Sequence, residues 1–411
     1  MKILHIIPTL SKGGAERLAF DIVKQLNKQE KTHARLVIFR NEIKYDISGI
    51  KEFISIVPSS VQLSLTKKWK INVSDLQAYI INFEPDVIHT HLFEAELASR
   101  FCHYPKARWF THVHDNMVQL KNWSWSSISK PSITNWYEKQ ILYRQYKKNG
   151  GTHFIAISKH TESYMKSVQS KYPVTLLHNA IDVKRFQKPA DFQKITSRLN
   201  LSNEGGHPAS AINPDSYRDN PQSQPSAPIA IGAPLNLINI GSFVPKKNQT
   251  FLLDILLELR DRGVHANCLF LGDGPLRNEV QNRAKELGII GHCNFLGNVE
   301  NVEDYLWQSD VYVHTATYEP LGLVLIEAMT AGLPVVTLDG GGNRDLIING
   351  QNGYLIEKQN PYEFANRILE VFQNKEIADF NLDYSMNFDI ESYCNKMLSL
   401  FMQNKENSIS Y

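Results

Sequence analysis

The stretch Ser309–Val336, SDVYVHTATYEPLGLVLIEAMTAGLPVV, runs from an apolar strand through a short polar loop into an apolar helix and out into a second strand. The strand pattern ends near Thr317. Leu323, Ile326 and Met329 then recur at helical spacing, and Ala331-Gly332-Leu333-Pro334 is a good helix stop before PVVTLD (334–339). This is one βα unit of a parallel sheet. Glu319 falls on its strand-to-helix loop, at the carboxyl edge of the sheet, and Glu327 in the second helical turn. Around Leu321, Gly322 and Leu323 the helix start offers unpaired N–H groups and the positive end of a dipole, which suits a phosphate, and Gly322 allows a close approach. Taken alone, Glu319 also reads as a charge that stabilises the helix start and Glu327 as a solvated one.

Working outward, the same alternation recurs. LNLINIGSF (235–243), ANCLFLGDG (266–274), CNFLGNV (293–299), DVYVHTAT (310–317), PVVTLD (334–339) and GYLI (353–356) form one strand series. An earlier series comprises KILHIIPTL (2–10), ARLVIFR (34–40), DVIHTH (86–91), RWFTHVH (108–114), HFIAIS (153–158) and VTLLHNA (174–180). Two such series predict an α/β protein of two Rossmann-like, doubly wound domains facing across a cleft, with ligands beyond the carboxyl ends of the strands. The expected bounds are 1–190 and 235–387, with a C-terminal helix at about 388–411 packing back on the first domain. Between the domains, 201–234 is crowded with Ser, Asn, Pro and Gly and has no period, so it reads as a flexible linker insertion.

Hydrophobic content of 42% and charged content of 21% are those of a globular protein. No run approaches the roughly 20 apolar residues of a membrane-spanning helix, and the apolar start MKILHIIPTL reads as a buried strand rather than a signal. The four cysteines form no CxxC pair, which argues against a zinc ribbon or a disulfide framework and for a cytoplasmic location. Residues 1–190 hold 28 Lys and Arg against 15 Asp and Glu, a charge of +13; the remainder carries −11, for a net +2. The first half therefore reads as facing something anionic, or as a solvated basic face.

The stretch 309–336, followed by GGGNRDLIINGQNGYLI (340–356), resembles the donor-binding segment of retaining glycosyltransferases of family GT4, which have the GT-B fold and a Glu-x7-Glu motif. Further elements similar to that family follow in order: GGAER (13–17), THVHD (111–115), NAID (179–182), GSFVPKKNQ (241–249) and FLGDGPLR (270–277). The resemblance covers the chain except for 201–234. It implies transfer of a sugar from a nucleotide-diphosphate sugar, UDP-linked, to a glycan or lipid-linked acceptor; family frequency and the basic first half point to bacterial surface polysaccharide or glycolipid assembly.

The resemblance also implies roles. Glu327 would accept from two ribose hydroxyls, Glu319 would hold donor-sugar hydroxyls, and backbone N–H groups of Gly322 and Leu323 would take the diphosphate. Lys247, rather than its neighbour Lys246, would stabilise the charge growing on the leaving group. Gly14 would approach the donor phosphate, and His114 would stand near the sugar. At one donor position the family commonly has Arg, and here it is Ser242. Either Lys246 or a residue elsewhere supplies that cation, or the donor is held less tightly.

His89 and His91, and His112 and His114, put two imidazoles on one face of each of two strands, and neighbouring strands would bring all four together, but no carboxylate or cysteine completes an obvious ligand set. No DxD pair is present either, so the expectation is no metal and no cofactor beyond the donor substrate. In 117–150 aromatics interleave with cations, as suits a peripheral site on the inner membrane face or a lipid diphosphate acceptor; the other reading is a helix packed on the sheet. No nucleic-acid module is recognisable. A nucleotide-sugar epimerase on the same fold, or a binding protein without chemistry, are the alternative functions.

Overall fold

The computed structural model describes residues 1–121, 130–190 and 234–403. Residues 201–233 of the linker insertion, the tryptophans Trp123 and Trp125, and the chain beyond residue 403 lie outside the described residues.

Two parallel sheets dominate the molecule. Across the first, the strands lie in the order Ile54–Ile56, His33–Ile38, Lys2–Ile7, Val87–His91, Arg108–Val113, His153–Ala156 and Val174–Leu176. Across the second, they lie in the order Cys293–Gly297, Ala266–Leu271, Leu235–Ile240, Val311–His314, Val335–Leu338 and Gly353–Ile356. In each sheet the first strand in sequence lies third from one edge and the chain winds outward both ways, which opens a crevice at the carboxyl ends where the direction reverses. Together these sheets form a GT-B fold.

The strands are buried on both faces because their residues alternate between two cores. Leu237, Val311 and Val313 face the helices Gln249–Asp261 and Pro361–Gln373 through Phe251, Ile255 and Phe364. Ile238 and Tyr312 face the opposite way, against Leu325, Ile326 and Met329 of the helix Leu323–Thr330. Full burial of an apolar side chain of this size stabilises by about 1.5–3 kcal/mol, so these three anchor the helix whose start carries the candidate site.

All twelve strands read from the sequence are present, most of them shorter, because their last residues turn into loops at the carboxyl edge. Three short strands escape the pattern: Ile54–Ile56 at the edge of the first sheet, and the antiparallel pair Ser60–Gln62 and Lys70–Asn72. None is long enough to show a period. The helix Glu376–Ser385 was likewise not anticipated. The helix Ile390–Gln403 packs into the core of the first sheet, where Tyr393, Met397 and Phe401 meet Leu18, Ile22 and Phe110. The helix Lys130–Lys148 also packs inward, with Leu142 and Tyr146 buried and Lys139 Nζ donating to the carbonyls of Leu120 and Val168 at 2.7 and 3.0 Å. Its Trp136 remains 43% exposed. No described helix is long and apolar enough to cross a membrane.

Candidate active site

The carboxyl edges of the two sheets supply the candidate residues. After Val311–His314, the chain loops through Glu319 to Gly322, which caps the helix Leu323–Thr330 at φ 91°, a left-handed conformation that favours glycine. The backbone of Glu319 is held by the glycine run of the neighbouring loop. Its N–H donates to Gly340 O at 2.8 Å, and its carbonyl accepts from Gly342 N–H at 2.9 Å. A Cβ on Gly342 would come within 1.9 Å of Pro320 O, and one on Gly340 within 2.8 Å of Glu319 N. Only glycines let the two loops lie this close, a role that the sequence signals as an unbroken GGG after a strand.

The Glu319 carboxylate meets two basic groups. Lys247 Nζ, from the turn Pro245–Lys247, donates to Oε2, and His314 Nε2 lies 3.2 Å from the same oxygen. Burial alone would raise this carboxyl, but Lys247 and His314 together outweigh it and hold it at about 2. His314 itself is lowered by burial although its bond to Glu319 opposes the shift. Sequence reading did not single out His314; its place at the strand end, five residues before Glu319, is the signal that could have found it.

Lys247, and not Lys246, reaches Glu319. Lys246 points across the cleft, 3.9 Å from Asp115 and 5.6 Å from the centre of the Tyr318 ring, whose hydroxyl donates to Asp115. Asp115 and Tyr318 thereby tie the first domain to the second beside Glu319.

A cavity of about 530 Å³ opens between the domains. Gly13, Gly14 and Arg17 line it from the first domain, and Ser242, Leu323 and Glu327 from the second. Gly14 and Leu323 face each other so closely that a Cβ on Gly14 would lie 3.4 Å from Leu323 Cδ1. Glu319, Lys247, Gly322 and His114 lie outside this lining; the first three meet at the loop, whereas His114 contacts His91 and His112 of the first sheet. Tyr45 fixes the glycine loop: its hydroxyl accepts from Gly13 N–H at 3.1 Å and bonds Gly13 O at 3.0 Å.

Glu327 is raised to about 7 by burial, with Arg185 and Arg17 only partly offsetting the effect. Both arginines line the cavity, together with Lys12, Lys24 and Lys44. Each arginine is engaged: Arg17 with Asp21 at 2.7 Å, and Arg185 with Glu303 at 2.8 Å. Neither Tyr45 nor Arg185 belongs to a pattern that the sequence reading could use.

His114 is partly exposed at the cleft, its Nε2 3.0 Å from Nδ1 of His91. No hydrogen bond among the described residues joins it to Glu319. His5, from the first strand, joins the four histidines that the sequence reads as neighbours, and two groups of three form. Burial keeps these rings neutral, lowering His5 and His112 to about 3.

Two family models match the chain: "Glycosyltransferase Family 4" over residues 12–185 and "Glycosyl transferases group 1" over 229–383. The putative glycosyltransferase EpsF of Bacillus subtilis is 22% identical over 355 residues, 82% of this chain and 79% of that protein. The lipopolysaccharide core biosynthesis glycosyltransferase LpsE of Rhizobium meliloti is 28% identical over 141 residues, 34% of this chain and 40% of that protein. Among solved structures, Anabaena HepE in complex with UDP and glucose superposes with a TM-score of 0.71 at 19% identity, covering 98% of this chain and 100% of that one. The two matched models, end to end along the two facing sheets, and these relatives place the chain among the GT-B glycosyltransferases.

Proposed function

We propose that this chain is a retaining glycosyltransferase that takes its sugar from a UDP-sugar and delivers it to a glycan or lipid-linked acceptor in bacterial surface polysaccharide or glycolipid assembly. The observation that carries the reading is Glu319, kept ionised by Lys247 and His314 beside the glycine-capped helix start at Gly322. An ionised carboxylate there can only accept, which suits sugar hydroxyls. The Lys247 ammonium and the helix-start N–H groups beside it suit the diphosphate. Glu327, across the helix start in the interdomain cavity, suits the ribose hydroxyls. The UDP complexes of HepE and the polysaccharide context of LpsE support the donor and the setting by likeness.

In this reading the bond from the anomeric carbon to the diphosphate oxygen breaks, and the acceptor oxygen bonds to that carbon from the same face. The acceptor proton passes to the departing phosphate, so no protein nucleophile is needed. Lys247 and the helix start stabilise the charge released, in place of a metal held by a DxD pair. The basic first domain suits an anionic membrane surface at which a lipid-linked acceptor would be met, with the enzyme on its cytoplasmic side.

The test is release of nucleoside diphosphate from a panel of UDP-, GDP- and ADP-sugars, with and without bacterial lipid extract, in wild type and Glu319→Gln. Release from a UDP-sugar that lipid stimulates and the substitution abolishes supports the proposal. Interconversion of the donor with no acceptor consumed would point to an epimerase, and binding without turnover to a binding protein.

A further inference from the structure

Five histidines from three adjacent strands share one face of the first sheet: His5, His89 and His91, and His112 and His114. The parallel register sets His5 beside His89 and His91 beside His112. Within this cluster, two sets of three offer one ring nitrogen apiece within 4.8 Å of one another: His5, His89 and His91, and His91, His112 and His114. Four of the buried nitrogens, His5 Nε2, both of His89 and His112 Nδ1, have no hydrogen-bond partner. Buried polar atoms are rarely left unpaired, and imidazoles with bare nitrogens gathered at one point are what a transition metal requires.

The hydrogen bonds favour the outer set. His112 Nε2 lies 3.1 Å from Asn179 Oδ1, an acceptor, so His112 donates there and its bare lone pair is on Nδ1. His91 Nε2 lies 3.1 Å from His5 Nδ1, to which it can donate while keeping a lone pair on its own Nδ1. That is the usual support for a metal-binding histidine, whose second nitrogen donates to a fixed acceptor. His91 Nδ1 and His114 Nε2 are 3.0 Å apart, close to the roughly 3.3 Å between ligands of a tetrahedral ion with bonds near 2.0 Å. The inner set is wholly buried, whereas His114 reaches the cleft and gives an ion a way in.

We propose that His91, His112 and His114 form a site for a divalent transition metal of the zinc class, with the fourth position open to the cleft. Three histidines and one open position is an arrangement zinc accepts readily. His112 and His114 stack at 4.1 Å with 19° between their planes, so loading turns the partly exposed His114 about its side-chain bonds while Asn179 holds His112. Coordination through Nε2 leaves His114 with Nδ1–H as the group it presents elsewhere, which fixes its tautomer. The site stands on the first sheet and does not depend on the roles given to Glu319 and Glu327.

The full-length protein, stripped with a chelator, is titrated with Co²⁺ and Zn²⁺ and followed by visible absorption and calorimetry. The expected result is one equivalent bound, with the visible bands of a four-coordinate cobalt ion that zinc then displaces. His112→Gln and His114→Ala should each weaken binding about 100-fold, and His5→Phe about tenfold through lost support of His91. His89→Gln should leave affinity within about threefold. Thermal melting controls for folding, and His114→Ala, at the partly exposed position, decides the question if the buried substitution does not fold. Absence of stoichiometric binding at micromolar metal, or affinity unchanged by His114→Ala, overturns the proposal; loss in His89→Gln with retention in His114→Ala overturns it in favour of the inner set.

Discussion

Lys247 donates to the carboxylate of Glu319 across the carboxyl edge of the second sheet, so the cation assigned to the donor phosphates and the acceptor assigned to the donor sugar hold each other in register. On the proposed roles, a phosphate arriving at Lys247 would share it with Glu319, and the same contact would preorganise both groups. Removing either should damage turnover more than binding.

Glu319→Gln keeps the shape but removes the charge that pairs with Lys247 and His314. Turnover should fall by about 10²–10³, the range for losing one preorganised electrostatic contact, while UDP affinity by calorimetry stays within a few-fold. A loss confined to UDP affinity, with turnover intact, would contradict the assignment to the sugar.

Lys247→Ala should lower kcat by a comparable factor, with Lys247→Arg recovering part of it. Lys246→Ala, which removes only the exposed contacts to Asp115 and Tyr318, should change kcat by less than about threefold, since exposed ion pairs contribute little. Steady-state kinetics of the three variants separates the neighbouring lysines.

Glu327, at about 7, is half protonated near neutral pH, whereas Glu319, at about 2, stays ionised. If ribose hydroxyls bind the ionised form, UDP affinity should drop about tenfold from pH 8 to pH 6, and the slope should vanish in Glu327→Gln. The sign for stability is opposite. A carboxyl raised above its unfolded value costs nothing below about pH 4 and its full amount above about pH 7. Glu327→Gln should therefore stabilise the fold at pH 8, on the order of 1–3 kcal/mol by chemical denaturation, while weakening nucleotide binding.

Gly342→Ala puts a Cβ where Pro320 O already lies, and the loop carrying Glu319 must move. Turnover should fall at least tenfold and the melting temperature drop. Gly350→Ala, with nothing within 4 Å but the Tyr354 hydroxyl, pays only for its φ of 79° and should leave turnover near wild type. Comparing the two by kinetics and melting separates close approach from backbone strain.

The sequence by itself determined the architecture and the strand-to-helix loop on which Glu319 stands. Strands buried on both faces spell themselves as apolar runs, and helices as 3.6-residue repeats, so the two strand series and the loop position of Glu319 were legible from local order alone. The short edge strands were not, because three residues carry no period. What only the tertiary structure decided is which groups meet. Glu319 and Glu327, on one continuous stretch and both raised by burial, part in opposite directions because Lys247 and His314 outweigh burial at the first, while Arg185 and Arg17 only partly offset it at the second. The same holds for the histidines: pairs two residues apart fix a strand face, but only the parallel register of three strands brings His5 into line with His89 and His91 into line with His112. Periodicity is a property of neighbours along the chain, whereas charge, burial and ligand sets belong to neighbours in space.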